Sequence, residues 1–149
     1  MVTVTVHETI ACRPEDVLDF VMDIERYAEV DTKISPVLWS RRDGDVVEFA
    51  CRPKLAGLRQ PTVVQHVRRS SGRVDITLAP PPRNRLAHAV AEFAAHFVCV
   101  PTDEGAQVTR TLTFRFSPVV RWLLEPWFRR RLPTEVGEEI RLAKAHLER

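Results

Sequence analysis

The chain has 149 residues, 44% hydrophobic and 28% charged, with a formal net charge of +2. That length suits one domain burying roughly two-thirds of its unfolded surface, and ordinary apolar content with mixed charges excludes a disordered tail. The longest uninterrupted apolar run is Phe97 to Val100, far short of the about 20 residues of a membrane-spanning helix. Residues 1–10 lack the basic segment and apolar block of a signal peptide. So small a net charge does not call for a nucleic-acid partner. Of the 22 basic residues only Lys33, Lys54 and Lys144 are lysines. Cys12, Cys51 and Cys99 lie far apart and are odd in number, as expected of reduced thiols in a cytoplasmic protein.

The opening residues alternate Val2, Val4 and Val6 with Thr3, Thr5 and His7, the period-two pattern of a half-buried strand. Arg13-Pro14-Glu15-Asp16 then starts a helix with proline in its first turn, and Val17, Phe20 and Val21 continue it over 14–22. Asp23 is placed to cap a second short turn ending at Tyr27. From 34 to 116 the pattern is that of strands joined by turns at Asp43-Gly44, Ser70-Ser71-Gly72 and Asp103-Glu104-Gly105. About six strands are expected, forming an antiparallel meander with one wet face. Pro80-Pro81-Pro82 with Arg83-Asn84-Arg85 reads as the one conspicuous loop. Ser117-Pro118 opens a long C-terminal helix, with a serine cap and proline at its first position. Pro126 and Pro133 are expected to kink or interrupt it. Its distal part carries one stripe, Leu132, Val136, Ile140, Ala143 and Leu147. Gly137 lowers helix propensity by about 1 kcal/mol against alanine, an expense that close approach to the sheet would explain.

A strongly curved sheet wrapped around that helix leaves its inward residues lining a core or a hollow. The inward register takes Phe93, Ala95, Phe97 and Cys99 on one strand, Val63, Gln65 and Val67 on another, and Arg110, Leu112 and Phe114 on a third. A buried glutamine or arginine without partners is costly, so two polar groups on an apolar face fit a ligand pocket with a few placed contacts. Core residues that reach water or bond to backbone are the plainer alternative. Phe49, Gln65, Ile76, Phe93, Phe97, Arg110 and Phe114 are the expected lining residues.

The strand, Ile10-Ala11-Cys12-Arg13-Pro14-Glu15-Asp16-Val17 and the turn Asp23-Ile24-Glu25-Arg26-Tyr27 resemble the START-like (SRPBCC) superfamily. The nearest branch is the polyketide cyclase/dehydrase and coenzyme-Q-binding-like proteins of actinobacteria. Phe97, Pro101 and Gly105-Ala106-Gln107-Val108-Thr109 are similar to that group's penultimate hairpin, with Ala106 in place of a threonine. The ending Ile140 to Glu148 resembles its closing helix. The resemblance covers residues 1–149 as a single START-like domain. It implies an α+β helix-grip (START/Bet v 1-like) fold, a curved antiparallel sheet around a long C-terminal helix with an apolar cavity between. The superfamily shares no catalytic motif, so no catalytic residue is implied.

The five histidines show no metal-ligand spacing, no glycine-rich phosphate loop exists, and no serine lies in a nucleophile-elbow context. No metal and no cofactor are expected. Cys51 or Cys99 beside His66 could form a thiol–imidazole pair, although buried structural cysteine is the plainer reading. Glu48, Asp75 and Glu92 are assigned to the outward face. The segment Arg121 to Arg131, with Val119 just before it, carries Val119, Trp122, Leu123 and Trp127 on one broad side and Leu124 and Phe128 beyond it, more apolar surface than one packing face uses. It could be buried on both sides, could edge a cavity mouth or a dimer contact, or could touch an anionic membrane weakly. Trp122 and Trp127 are accordingly candidate ligand-binding residues at the mouth. Three functions follow: a cytoplasmic carrier or sensor, monomer or homodimer, of a small apolar ligand such as a lipid, polyketide or isoprenoid; a polyketide cyclase/dehydrase-like enzyme; or a toxin-like interaction module using Arg41, Arg42, Arg68 and Arg69.

Overall fold

The computed structural model describes residues 1–149. The chain runs through β1 (Val2–Ile10), α1 (Pro14–Met22), α2 (Ile24–Tyr27), β2 (Val37–Asp43), β3 (Val46–Cys51), the two-residue strands β4 (Lys54–Leu55) and β5 (Leu58–Arg59), and β6 (Val63–Ser70). It continues through β7 (Arg73–Leu78), α3 (Arg85–Val90), β8 (Ala91–Thr102), β9 (Gly105–Phe116) and α4 (Pro118–Leu147). Seven strands form one curved antiparallel sheet in the order β1-β9-β8-β7-β6-β3-β2, and β4 and β5 make a separate small hairpin. The fold class is α+β, the helix-grip arrangement.

Local sequence explains the elements. Asp16 accepts from the Arg13 backbone N–H at 3.1 Å, anchoring the start of α1, and Asp23 accepts from the Arg26 N–H at 3.5 Å to cap α2. Alternation fixes the register of the sheet: Phe49 faces Gln65 across β3 and β6, and Phe97 faces Arg110 across β8 and β9. Gly105, at φ +133°, turns the β8–β9 hairpin against the end of β1. A Cβ there would lie 2.3 Å from the Ile10 carbonyl oxygen, so no side chain fits. Leu132, Val136, Ile140 and Ala143 are buried and Leu147 packs half-buried beside them, α4 lying across β1 and β9. Each fully buried aliphatic side chain of this kind contributes roughly 1.5–3 kcal/mol.

Several expectations need correction. Pro126 and Pro133 do not interrupt α4. Pro126 and Pro133 are both exposed, so water can reach the carbonyls that lose an N–H partner. Ser117 supplies no side-chain cap, and its carbonyl accepts from Arg121 N at 2.9 Å instead. Gly137 meets nothing within 4 Å, so close approach does not explain it. The loop after Pro82 includes a helix, α3, that periodicity did not reveal. No helix is long and apolar enough to cross a membrane.

Candidate ligand cavity

Between the concave sheet face and α4 lies a cavity of about 560 Å³ with mostly apolar walls. Phe49 on β3, Ile76 on β7, Phe93 on β8 and Phe114 on β9 contribute from alternate positions of their strands, as the sheet's alternation requires. Its mouth is edged by exposed Pro61, Thr62 and Leu86, and the first half of α4 closes one side with Val120, Leu124 and Phe128.

The far end is polar. Tyr27, Asp31, Lys33, Gln65 and Arg110 all reach the cavity wall and are all buried. Behind them Glu139 projects from α4, 2% exposed. Lys33 Nζ donates to Glu139 Oε1 at 2.6 Å and lies 2.8 Å from Asp31 Oδ1. Arg110 Nε donates to Glu139 Oε2 at 3.1 Å, and the Tyr27 hydroxyl donates to the same oxygen. The Arg110 guanidinium also lies 4.2 Å from the centre of the Phe97 ring, a cation–π contact.

This cluster divides its protons unevenly. Burial pushes Glu139 up, but Arg110 and Lys33 outweigh it and hold the carboxyl below the usual range. Burial, reinforced by the Glu139 charge, raises Asp31 despite its lysine partner. Burial and the adjacent Glu139 carry Tyr27 well above an ordinary phenol. Burial opposes charge on Lys33 and Arg110, yet the two carboxylates keep both raised. A carboxylate whose lone pairs are taken by three donors is a weak base, and a phenol so placed is a weak acid.

Of the residues singled out from sequence, Phe49, Gln65, Ile76, Phe93, Arg110 and Phe114 share one cavity wall. Phe97 does not line it: the ring is 1% exposed beneath the Arg110 guanidinium. Neither tryptophan lines it. Trp122 is 75% exposed, its indole N–H donating to Val119 O at 3.1 Å within its own helix. Trp127 instead ties α4 to the β4–β5 hairpin, its indole N–H donating to Ala56 O at 2.8 Å. Glu135 completes this strap by accepting from Ala56 N at 2.7 Å and Gly57 N at 3.1 Å. The face of α4 bearing Val119, Trp122 and Leu123 is therefore open, not covered by α1 and α2.

Tyr27, Asp31, Lys33 and Glu139 were missed. Glu139 was detectable: it stands three residues after Val136 and seven after Leu132, a charge inside the apolar stripe. Asp31 and Lys33 sit in a loop with no periodicity to read. The proposed thiol–imidazole pair does not form, because Cys51 is fully buried on the inward side while His66 alternates to the other face between Glu48 and Thr77. Burial pushes the Cys51 and Cys99 thiols up to about 12. Glu48, Asp75 and Glu92 are outward and paired, with Arg41 and Arg83, with Arg73, and with His88. No group of histidine, cysteine or carboxylate side chains could hold a metal.

A helix-grip sheet enclosing an apolar hollow with a polar far end defines a protein that takes a small hydrophobic molecule into an internal cavity. The chain belongs to the family described as polyketide cyclase/dehydrase and lipid transport, which it matches over residues 1–148. No curated protein matches it at significant similarity. Among solved structures it is similar to TTHA0849 from Thermus thermophilus, with 16% identity, a TM-score of 0.77, and 97% of this chain and 96% of that one covered. It is also similar to the di-domain aromatase/cyclase StfQ of the steffimycin biosynthetic pathway, with 16% identity, a TM-score of 0.76, and 99% and 51% covered, so it spans about half of that chain. The Zhui aromatase/cyclase from a Streptomyces species gives 14% identity, a TM-score of 0.70, and 95% and 92% covered. At these identities the likeness establishes the fold.

Proposed function

We propose that residues 1–149 act as one unit, a cytoplasmic carrier or sensor that holds a small hydrophobic molecule such as a lipid, polyketide or isoprenoid. The observation that carries this reading is the 560 Å³ apolar cavity opening between α3 and α4, a size typical of small-molecule sites. The open face of α4 supports a carrier: Val119, Trp122 and Leu123 are exposed on the same helical turns as the cavity-lining Val120 and Leu124, and at helical spacing Arg129 and Arg130 fall on the same side. That combination suits weak contact with an anionic membrane surface, where a ligand could be collected or delivered.

A cyclase/dehydrase-like activity is the second reading, favoured by the Tyr27–Glu139 couple at the cavity's far end. The carrier is preferred because both members are tuned away from proton transfer near neutrality, Glu139 down and Tyr27 up. The interaction-module reading is weakened because Arg41 is paired with Glu48, and Arg69, on the inward register of β6, is paired with Asp19 of α1.

Titration with the neutral fluorescent probe N-phenyl-1-naphthylamine tests the proposal. Saturable binding near one site per chain, weakened severalfold in Leu78→Trp, which narrows the cavity from its wall, is the expected result. Absence of saturable uptake, or uptake untouched by the narrowing variant, would overturn it.

A further inference from the structure

One edge of the seven-stranded sheet is bare. β1, at one end, lies under α4, whereas β2, at the other, has six of its seven residues exposed. Which backbone groups of β2 stay free follows from the register. The Asp45 carbonyl accepts from Arg69 N at 2.8 Å, so odd-numbered residues of β3 bond to β6 and even-numbered ones to β2, as antiparallel ladders alternate. Trp39, Arg41 and Asp43 stand opposite Ala50, Glu48 and Val46 and spend their bonds there. The N–H and C=O of Ser40 and Arg42 therefore point away from the sheet, and no turn or loop takes them up.

Edge strands are usually guarded by free charges, proline or bulges. Here the bulge is confined to the start of the strand, between Val37 and Trp39. Both arginines fold back onto their own chain, Arg41 Nη2 donating to Glu48 Oε1 at 2.6 Å and Arg42 Nε to Gly44 O at 3.0 Å. Beside them Trp39 is 42% and Leu38 52% exposed.

Charge says which strand fits this edge. Asp43 and Asp45 are exposed at one end of β2. At the other end stand exposed Arg52, whose N–H meets Pro36 O, and exposed Arg59, whose guanidinium is held only by the Ser35 and Arg52 carbonyls. Antiparallel pairing of two β2 strands about Ser40 brings each acidic turn to the other copy's arginines, whereas parallel pairing sets like charges together. In that register Trp39 faces Arg41 of the second copy, a cation–π match. Arg42 lies diagonal to Ser40 of the second copy, within reach of the Glu25 carboxylate that accepts from that serine. Centring on Arg41 would oppose two arginines, and centring on Trp39 would set Arg42 against Pro36, which has no N–H.

We propose that the chain forms a two-fold dimer by antiparallel β2–β2 pairing, joining the two seven-stranded sheets into one. β2 contributes no residue to the cavity wall, so association and ligand uptake are independent.

A single strand pair is a small interface, for which a dissociation constant on the order of 10 µM is expected. Sedimentation equilibrium from about 1 to about 100 µM, with amide exchange measured at both extremes, tests it. At high concentration the Ser40 and Arg42 amides should slow about tenfold, while those of Trp39, Arg41 and Asp43 change little. Ser40→Pro removes an N–H that β3 does not use, a change edge strands tolerate, and should abolish the dimer. In case that chain does not fold, Asp45→Arg at the exposed turn is the second variant, expected to weaken association about tenfold. A monomer at every concentration, or association unchanged in either variant, would overturn the proposal. So would association that leaves Ser40 and Arg42 exchange unaltered, which would place the contact on another face.

Discussion

Glu139 shows how one side chain can organise a cavity end. It is the ion to which Lys33, Tyr27 and Arg110 all bond, and α4 holds it at the level where the sheet places Arg110. Replacing it with glutamine leaves two buried cations facing Asp31 alone, a change expected to cost about 3–5 kcal/mol, measurable by urea unfolding at pH 7. The pH dependence has a defined sign. Glu139 sits below its ordinary 4.5, so its contribution is fully present above that value and is lost as pH falls through its lower folded value. Asp31, raised above its ordinary 3.8 by burial first and then by Glu139, works in the opposite sense, stabilising only once protonated. Stability should therefore decline below pH 4.5 with a slope that is shallower in Glu139→Gln. Equal acid slopes in the two proteins would show that Glu139 is not the linked group. At this scale the sequence was legible where alternation exposed an anomaly. Gln65 and Arg110 stood out as polar residues at inward strand positions. Glu139 was masked by the apolar stripe that surrounds it, and Asp31 and Lys33 by a loop whose contacts depend on elements distant in the chain.

Among the elements, two short pieces border the cavity and are held by few bonds, which makes them the cheapest to open. The β4–β5 hairpin is strapped to α4 by Trp127 and Glu135. At its tip Gly57 has φ +80°, and a Cβ there would lie 3.0 Å from the Arg131 guanidinium. Trp127→Ala should speed amide exchange over residues 54–59 and ligand release severalfold, while removing the bond itself costs about 1 kcal/mol. Exchange confined to wild-type rates would deny the strap any role. The second piece, α3, is pinned by His88, whose Nε2 lies 2.9 Å from Ala79 O and whose Nδ1 lies 3.1 Å from Glu92. The Ala79 carbonyl, and then Glu92, raise His88 above its ordinary 6.5. The protonated ring donates to both, so this anchoring is complete below pH 6.5 and is lost as pH rises through the higher folded value. Exchange protection of residues 85–90, corrected for intrinsic rates, should fall between pH 6 and pH 8.5 in the wild type and stay flat in His88→Gln. Most main-sheet strands were readable from their period, α1 and α4 from their proline starts and apolar spacing, and α2 from its Asp23 cap. The hairpin and α3 were not, since strands of two residues and a helix of six carry too little pattern, and tertiary contacts decide them.

For the molecule as a whole, the helix-grip arrangement turns a core into a container. The sheet curves around α4, yet the helix fills only the half of the concavity facing Leu132 to Ala143, and the half facing Val120 to Phe128 stays hollow. Size, wall chemistry and the polar far end together make the cavity the functional feature, and family membership agrees. Native mass spectrometry of the purified protein tests this most directly. A co-purified apolar molecule of a few hundred daltons, released on mild activation and reduced in Leu78→Trp, is the result expected. A bare chain mass that stays bare after incubation with 1-tetralone and N-phenyl-1-naphthylamine would contradict it.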